Sequence, residues 1–203
     1  MRKWGLVLTA ALAATLAAQP ARAQDSTGGF YIGLSGAASY TDAARSMETI
    51  TGGIHDKSVP NGGKLYAGLV RDGWGMEFAY YYLGKIEIEN AAGQVQDELE
   101  TGAIVVAGVY EAQIAPAYTF VARVGIAFTQ AKYDCKLGCA APFLDTKESG
   151  TSGMFGLGLD MRMTQSLALR MEYEHFGSVH HGVSTIKFKD AYDMFSVGVR
   201  LAF

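Results

Sequence analysis

Bulky apolar residues alternate with small or charged ones along much of this chain. The pattern is plainest over residues 153–163, where Phe155, Leu157, Leu159, Met161 and Met163 interleave with Gly156, Gly158, Asp160 and Arg162. A period of two places successive side chains on opposite faces, so each such segment predicts a strand with one apolar and one polar face. The division recurs over residues 167–173, with Leu169, Met171 and Tyr173 against Arg170, Glu172 and Glu174. It recurs over 30–40 (Phe30, Ile32, Leu34 against Gly33, Ser35), 75–82 (Met76, Phe78, Tyr80 against Glu77, Ala79) and 120–128 (Val124, Ile126 against Arg123, Gly125). A last strand ends the chain. Residues 64–71 and 101–110 alternate weakly and predict strands without fixing which way they face, which brings the total to eight.

The connections predict the architecture. They are tight at 71–73, 111–117 and 164–166 but long near 41–61, 88–99, 134–150 and 180–190. Four long loops alternating with three short turns, both chain ends lying on the turn side, are the asymmetry of an all-β, eight-stranded antiparallel up-and-down transmembrane barrel.

Alternation alone does not say which face is outside, because a soluble ligand-binding barrel alternates in the same way with its apolar face inward. Two features favour the apolar face outward. The charged face also carries most of the glycine and alanine, as the narrow interior of an eight-stranded barrel requires. The lysines beyond residue 23 (Lys57, Lys64, Lys85, Lys132, Lys136, Lys147, Lys187, Lys189) fall in loops or near strand ends, where water is expected to solvate them. The walls instead hold Arg123, Arg162, Arg170 and Arg200 opposite Glu77, Asp160, Glu172 and Glu174. This is a balanced set of the kind that burial demands. It reads as a structural plug bracing the strands, with a gate in a narrow pore as the alternative.

Composition sharpens the picture. Glycine reaches 25 residues and aromatics 11%, against only 4 prolines, a mix suited to many strands. The longest uninterrupted apolar run outside the N-terminus, 103–110, is far below the ~20 residues of a membrane helix. At the N-terminus, Arg2 and Lys3 precede an apolar run over 4–18 and the small-x-small pattern Ala21-Arg22-Ala23, which reads as an export signal over 1–23 followed by one barrel domain over 24–203. Removing Arg2, Lys3 and Arg22 from the 17 basic residues leaves 14 against 20 acidic ones, a balance of −6 that argues against nucleic acid.

The stretch Gly75-Met76-Glu77-Phe78-Ala79-Tyr80-Tyr81-Tyr82-Leu83-Gly84 resembles the G-x-E-x-x-Y-x-x-L-G signature of the outer-membrane protein A transmembrane domain, and residues 158–173 look like its sixth and seventh strands. The resemblance implies that Glu77 and Arg170 are its interior acid and arginine, with Asp160 and Glu172 as further interior acids. Residues 170–178 are similar to the R-x-E-Y-x-x-F-G-S stretch of small alphaproteobacterial surface barrels. The ending from Ser196 through Gly198 and Leu201 to Phe203 looks like the assembly signal read by the barrel-insertion machinery, with Leu201 standing where an aromatic is usual. Two departures stand out: no basic residue occurs over 101–110, which disfavours gating through a lysine there, and with the sequence stopping at Phe203 anchoring to peptidoglycan by a second domain is not expected.

The remaining candidate chemistry is thin. Cys135 and Cys139 are expected to form a local disulfide in an oxidising compartment, since only Asp134 and Asp145 stand near as further metal ligands and no metal is expected. His175, His180 and His181 lie near Ser178 and Ser184, which invites comparison with barrel deacylases of lipid A. Strand parity, however, turns His175 outward and Ser178 inward unless a bulge intervenes, and no acid is clearly placed to orient the histidine. Tyr80, Tyr82, Tyr173 and Phe203 read as girdle residues at the lipid–water boundary, and a haem site on His180 and His181 ranks low. The expectation is a non-enzymatic barrel of the cell outer membrane, without cofactor. It would be surrounded by outer-membrane lipid and lipopolysaccharide and inserted by the assembly machinery. An unidentified surface ligand remains open, as do the alternatives of a narrow passive channel, an adhesin or haem binder, and a lipid A-modifying enzyme.

Overall fold

The computed structural model describes residues 28–41, 54–55, 61–89, 95–135, 146–183 and 186–203. The strands are β1 (Gly28–Thr41), β2 (Ile54–His55), β3 (Asn61–Arg71), β4 (Trp74–Glu89), β5 (Val95–Ala115), β6 (Tyr118–Cys135), β7 (Thr146–Arg162), β8 (Leu167–Val183) and β9 (Ile186–Ala202). The eight long strands pair antiparallel in the order β4-β3-β1-β9-β8-β7-β6-β5, and pairing of β4 with β5 closes the ring. The short β2 adds only Ile54 and His55 to the far end of β4.

The tight turns follow from local chemistry. Asp72 and Gly73 both take positive φ, 53° and 81°, the backbone that suits a two-residue hairpin between right-twisted strands. At the β7–β8 turn the Thr164 hydroxyl accepts the N–H groups of Ser166 and Leu167 at 3.3 and 3.0 Å. At the opposite end two expected long loops prove to be mostly strand. β4 continues to Glu89 and β5 begins at Val95, while β8 reaches Val183 and β9 begins at Ile186. Within these segments the described residues 88–89, 95–99, 180–183 and 186–190 belong to the strands. The expected export signal over 1–23 lies outside the described residues.

The face that alternation marks as apolar points outward. Leu34, Leu65, Met76, Phe78, Val124 and Phe155 are all exposed, while the intervening positions are buried inside the ring. Aromatics flank this belt. Near the turns, Trp74 lies 4.6 Å from Tyr110 and Phe30 lies 6.0 Å from Phe203 between ring centroids; towards the loops stand Tyr40, Tyr80, Phe128 and Tyr173.

Beyond those upper aromatics the sides exchange character. Lys85, Glu100, Gln130 and Lys147 face out, while Leu83, Ile86, Leu99 and Tyr133 are buried within. A bulge between Tyr82 and Gly84, with Gly84 at φ 106°, absorbs one extra residue so that Lys85 turns out and Ile86 turns in. A second register shift, between Phe176 and Val179, does the same on β8 and keeps Val179 inside.

Candidate functional site

The charged residues of the interior come together from seven strands into one continuous cluster. Glu77 on β4 stands at its centre. It accepts a hydrogen bond from the Tyr31 hydroxyl at 2.9 Å, meets Arg170 at 3.2 Å and pairs with Arg123. Arg123 on β6 also reaches Glu174 at 2.5 Å and pairs with Glu172. Arg170 on β8 makes a two-pronged contact with Asp160 at 2.6 and 2.8 Å, the fork geometry that a guanidinium offers a carboxylate. Arg200 on β9 completes the turn-side layer, 2.7 Å from Asp160 and 3.1 Å from Glu111, its guanidinium carbon 3.9 Å from the centre of the Tyr31 ring.

Tyrosines pack between these charges. Tyr31 and Tyr66 lie in the lumen because each has a glycine opposite it in the β1–β3 pair: Tyr31 faces Gly68 and Tyr66 faces Gly33. A Cβ on Gly33 would come within 2.0 Å of the Tyr66 ring, and one on Gly68 within 2.4 Å of Tyr31, so only glycine leaves the rings room. Tyr81 donates to Glu174 at 2.5 Å. None of these three tyrosines was singled out by the sequence pattern, which counts tyrosine with the apolar residues.

Two expectations need correction. Lys64 does not sit where water solvates it: it is only 2% exposed on β3, pairs with Glu172 and lies 3.1 Å from Glu174. Arg162 has the parity of an interior residue but is the exposed last residue of β7, beyond the level of the cluster. Among the described residues the cluster is therefore Lys64, Arg123, Arg170 and Arg200 against Glu77, Glu111, Asp160, Glu172 and Glu174, four cations and five carboxylates. Glu111 was assigned to a turn, but β5 runs on through it.

A second polar group lies outside the wall. His175 Nδ1 is 2.8 Å from Asp193 Oδ1, and the Tyr173 hydroxyl donates to the same oxygen at 2.6 Å. An acid does therefore orient the histidine, contrary to the sequence reading. The β8 register shift also leaves Ser178 exposed rather than inward. His180 and His181 keep the β8–β9 ladder, but their side chains, with Ser184, lie outside the described residues. Cys135 ends β6, and Cys139 lies outside the described residues, so the disulfide stays an expectation.

At the chain end, Ser196 and Gly198 face the lumen, Leu201 is half-buried, and the Phe203 N–H donates to the Phe30 carbonyl at 2.9 Å. These positions fasten β9 to β1.

The sequence matches the outer membrane protein beta-barrel domain over residues 9–203. None of the curated proteins matches it. Among solved structures it is similar to Neisserial surface protein A, at 14% identity and TM-score 0.60, covering 86% of this chain and 97% of that one. The outer membrane protein OprG from Pseudomonas aeruginosa is similar at 12% identity and TM-score 0.54, covering 87% and 97%. Ail, the attachment invasion locus protein of Yersinia pestis, is similar at 15% identity and TM-score 0.50, covering 89% and 100%. At such identities the likeness is one of fold.

Proposed function

From the premise that this chain belongs to the outer membrane protein beta-barrel domain family and resides in the outer membrane, we propose that it is an occluded barrel. It serves envelope structure and holds its loops at the cell surface; it is not a conducting channel and not an enzyme. The observation that carries this reading is the buried cluster: Arg170 alone meets carboxylates from β4, β5, β7 and β8. Side chains reaching across the lumen from opposite walls oppose the passage of a hydrated ion. An eight-stranded ring has little room beyond its own side chains in any case. Above the plug, Leu83, Ile86, Leu99, Phe176, Val179 and Met194 are buried together and form a second, apolar seal.

Planar-bilayer recording tests the proposal. The wild-type protein is expected to show no steady conductance, whereas the double variant Glu77→Ala, Arg170→Ala, which empties the centre of the cluster, is expected to admit small currents. Steady, ion-selective current through the wild-type protein would overturn occlusion in favour of a narrow channel.

A loop-borne binding role is the second reading, favoured by the strand extensions above the belt. β5 is 21 residues long, roughly twice the ~9–11 residues a tilted strand needs to cross the bilayer. Export directed by residues 1–23 and insertion guided by the terminal Phe203 belong to the same proposal.

A further inference from the structure

The outer surface carries a polar group that neither sealing the lumen nor facing lipid explains. Strand register places Phe155, His175, Asp193 and Tyr40 side by side across β7, β8, β9 and β1. All four lie on the outward face, with His175 and Asp193 directly above the apolar positions Tyr173 and Phe195 of their own strands. A carboxylate there is costly unless it is partnered. Asp193 has partners, yet Tyr173 and His175 both bond to Oδ1 alone. Among the described residues, neither Asp193 Oδ2 nor His175 Nε2 has a polar partner, and the two side chains are 43% and 31% exposed. The Phe155 and His175 ring centroids are 5.1 Å apart, and Tyr40 is 55% exposed on the other side of the carboxylate.

We propose that Phe155, His175, Asp193 and Tyr40 form a binding site on the outside of the barrel for the sugar headgroup of an outer-leaflet glycolipid. The proposal rests on the reading that lipid surrounds the wall. The chemistry fits a sugar: a carboxylate oxygen and an imidazole nitrogen side by side take neighbouring hydroxyls, while flanking aromatic rings take the C–H face of a pyranose. It disfavours a bare phosphate, because the fixed charge of the site is negative and no lysine or arginine is among the four residues. The position also fits, since His175 and Asp193 are the first polar side chains above Tyr173 and Phe195 on the outward faces of β8 and β9.

The test is native mass spectrometry of the full chain released from phosphatidylcholine vesicles containing either a monoglucosyl diacylglycerol or phosphatidylglycerol. The wild-type protein is expected to retain the glucosyl lipid in preference to both phospholipids. Retention should fall about tenfold in Asp193→Ala, the scale of losing a hydrogen bond to a charged group, and by a smaller factor in His175→Ala. Tyr80→Ala, at the belt edge on β4, should retain it fully. Asp193→Asn, which keeps the shape, serves if the alanine variant does not fold. Electrophoresis of heated and unheated samples reports folding separately, so failure of the membrane-barrel reading and failure of the site are distinguishable. Equal retention of all three lipids by the wild-type protein, preferential retention of phosphatidylglycerol, or undiminished retention in folded Asp193 variants would each overturn the proposal.

Discussion

At the scale of single residues, Lys64 and Arg162 show what alternation can and cannot carry. Lys64 was hard to place because both faces of β3 are rich in apolar groups: Tyr66 and Val70 line the lumen while Leu65 and Leu69 face out, so no binary pattern marks the strand. Arg162 fails differently, since parity fixes the side of the wall but not the height along it. The pair makes a direct comparison. Lys64→Met preserves most of the volume but leaves Glu172 and Glu174 short of a buried cation. Losing one partner of such a pair costs about 3–5 kcal/mol. Arg162→Ala, at an exposed strand end, is expected to change stability by no more than about 0.5 kcal/mol. Urea unfolding in lipid vesicles, followed by the fluorescence of Trp74, measures both. Equal shifts in midpoint would mean that Lys64 is solvated after all. Glu77, Arg123, Asp160, Arg170, Glu172, Glu174 and Arg200 were legible because each interrupts a clean run of outward apolar residues. The tyrosines between them were not, because an amphipathic ring is at home on either face.

At the scale of elements, the strands were legible within the membrane and misread above it. Turn residues mark the short connections, whereas the extensions over 83–89 and 95–101 keep alternating with the opposite polarity, which resembles a loop when a membrane pattern is sought. The Tyr82–Gly84 bulge reconciles the two patterns. Leu83 is the residue without a partner on β5, since Tyr82 pairs with Gly102, Gly84 with Thr101 and Lys85 with Glu100. Removing one residue at the bulge should therefore restore a regular ladder and leave everything beyond it facing as before. Adding one should turn Ile86 out and Lys85 in, because a single-residue slip reverses every later side chain. In a background with Cys135 and Cys139 replaced by serine, Ile86→Cys should resist a membrane-impermeant maleimide both with the natural bulge and with Gly84 deleted. It should react when one alanine is inserted after Gly84. Labelling of the deletion variant would show that the bulge has a role other than taking up one residue.

At the scale of the whole molecule, the burial pattern is reversed relative to a water-soluble barrel over one band of height and normal above it. The band is set by which residues the outer face carries. Val124, near the middle of the β6 belt, is 68% exposed and apolar, while Gln130, three outward positions further along the same strand, is exposed and polar. If lipid touches the first and water the second, an identical substitution should have different costs at the two sites. Val124→Arg should destabilise the barrel by about 2–4 kcal/mol, as an arginine near the bilayer midplane does, and Gln130→Arg by no more than about 1 kcal/mol near the interface. Neither side chain is buried by protein, so a barrel standing in water would tolerate both alike. Paired urea titrations in vesicles therefore read the position of the hydrocarbon boundary independently of the interior charges. In detergent-free buffer the Val124→Arg variant should gain no solubility, because the rest of the belt, from Phe30 round to Phe203, still presents the same apolar surface.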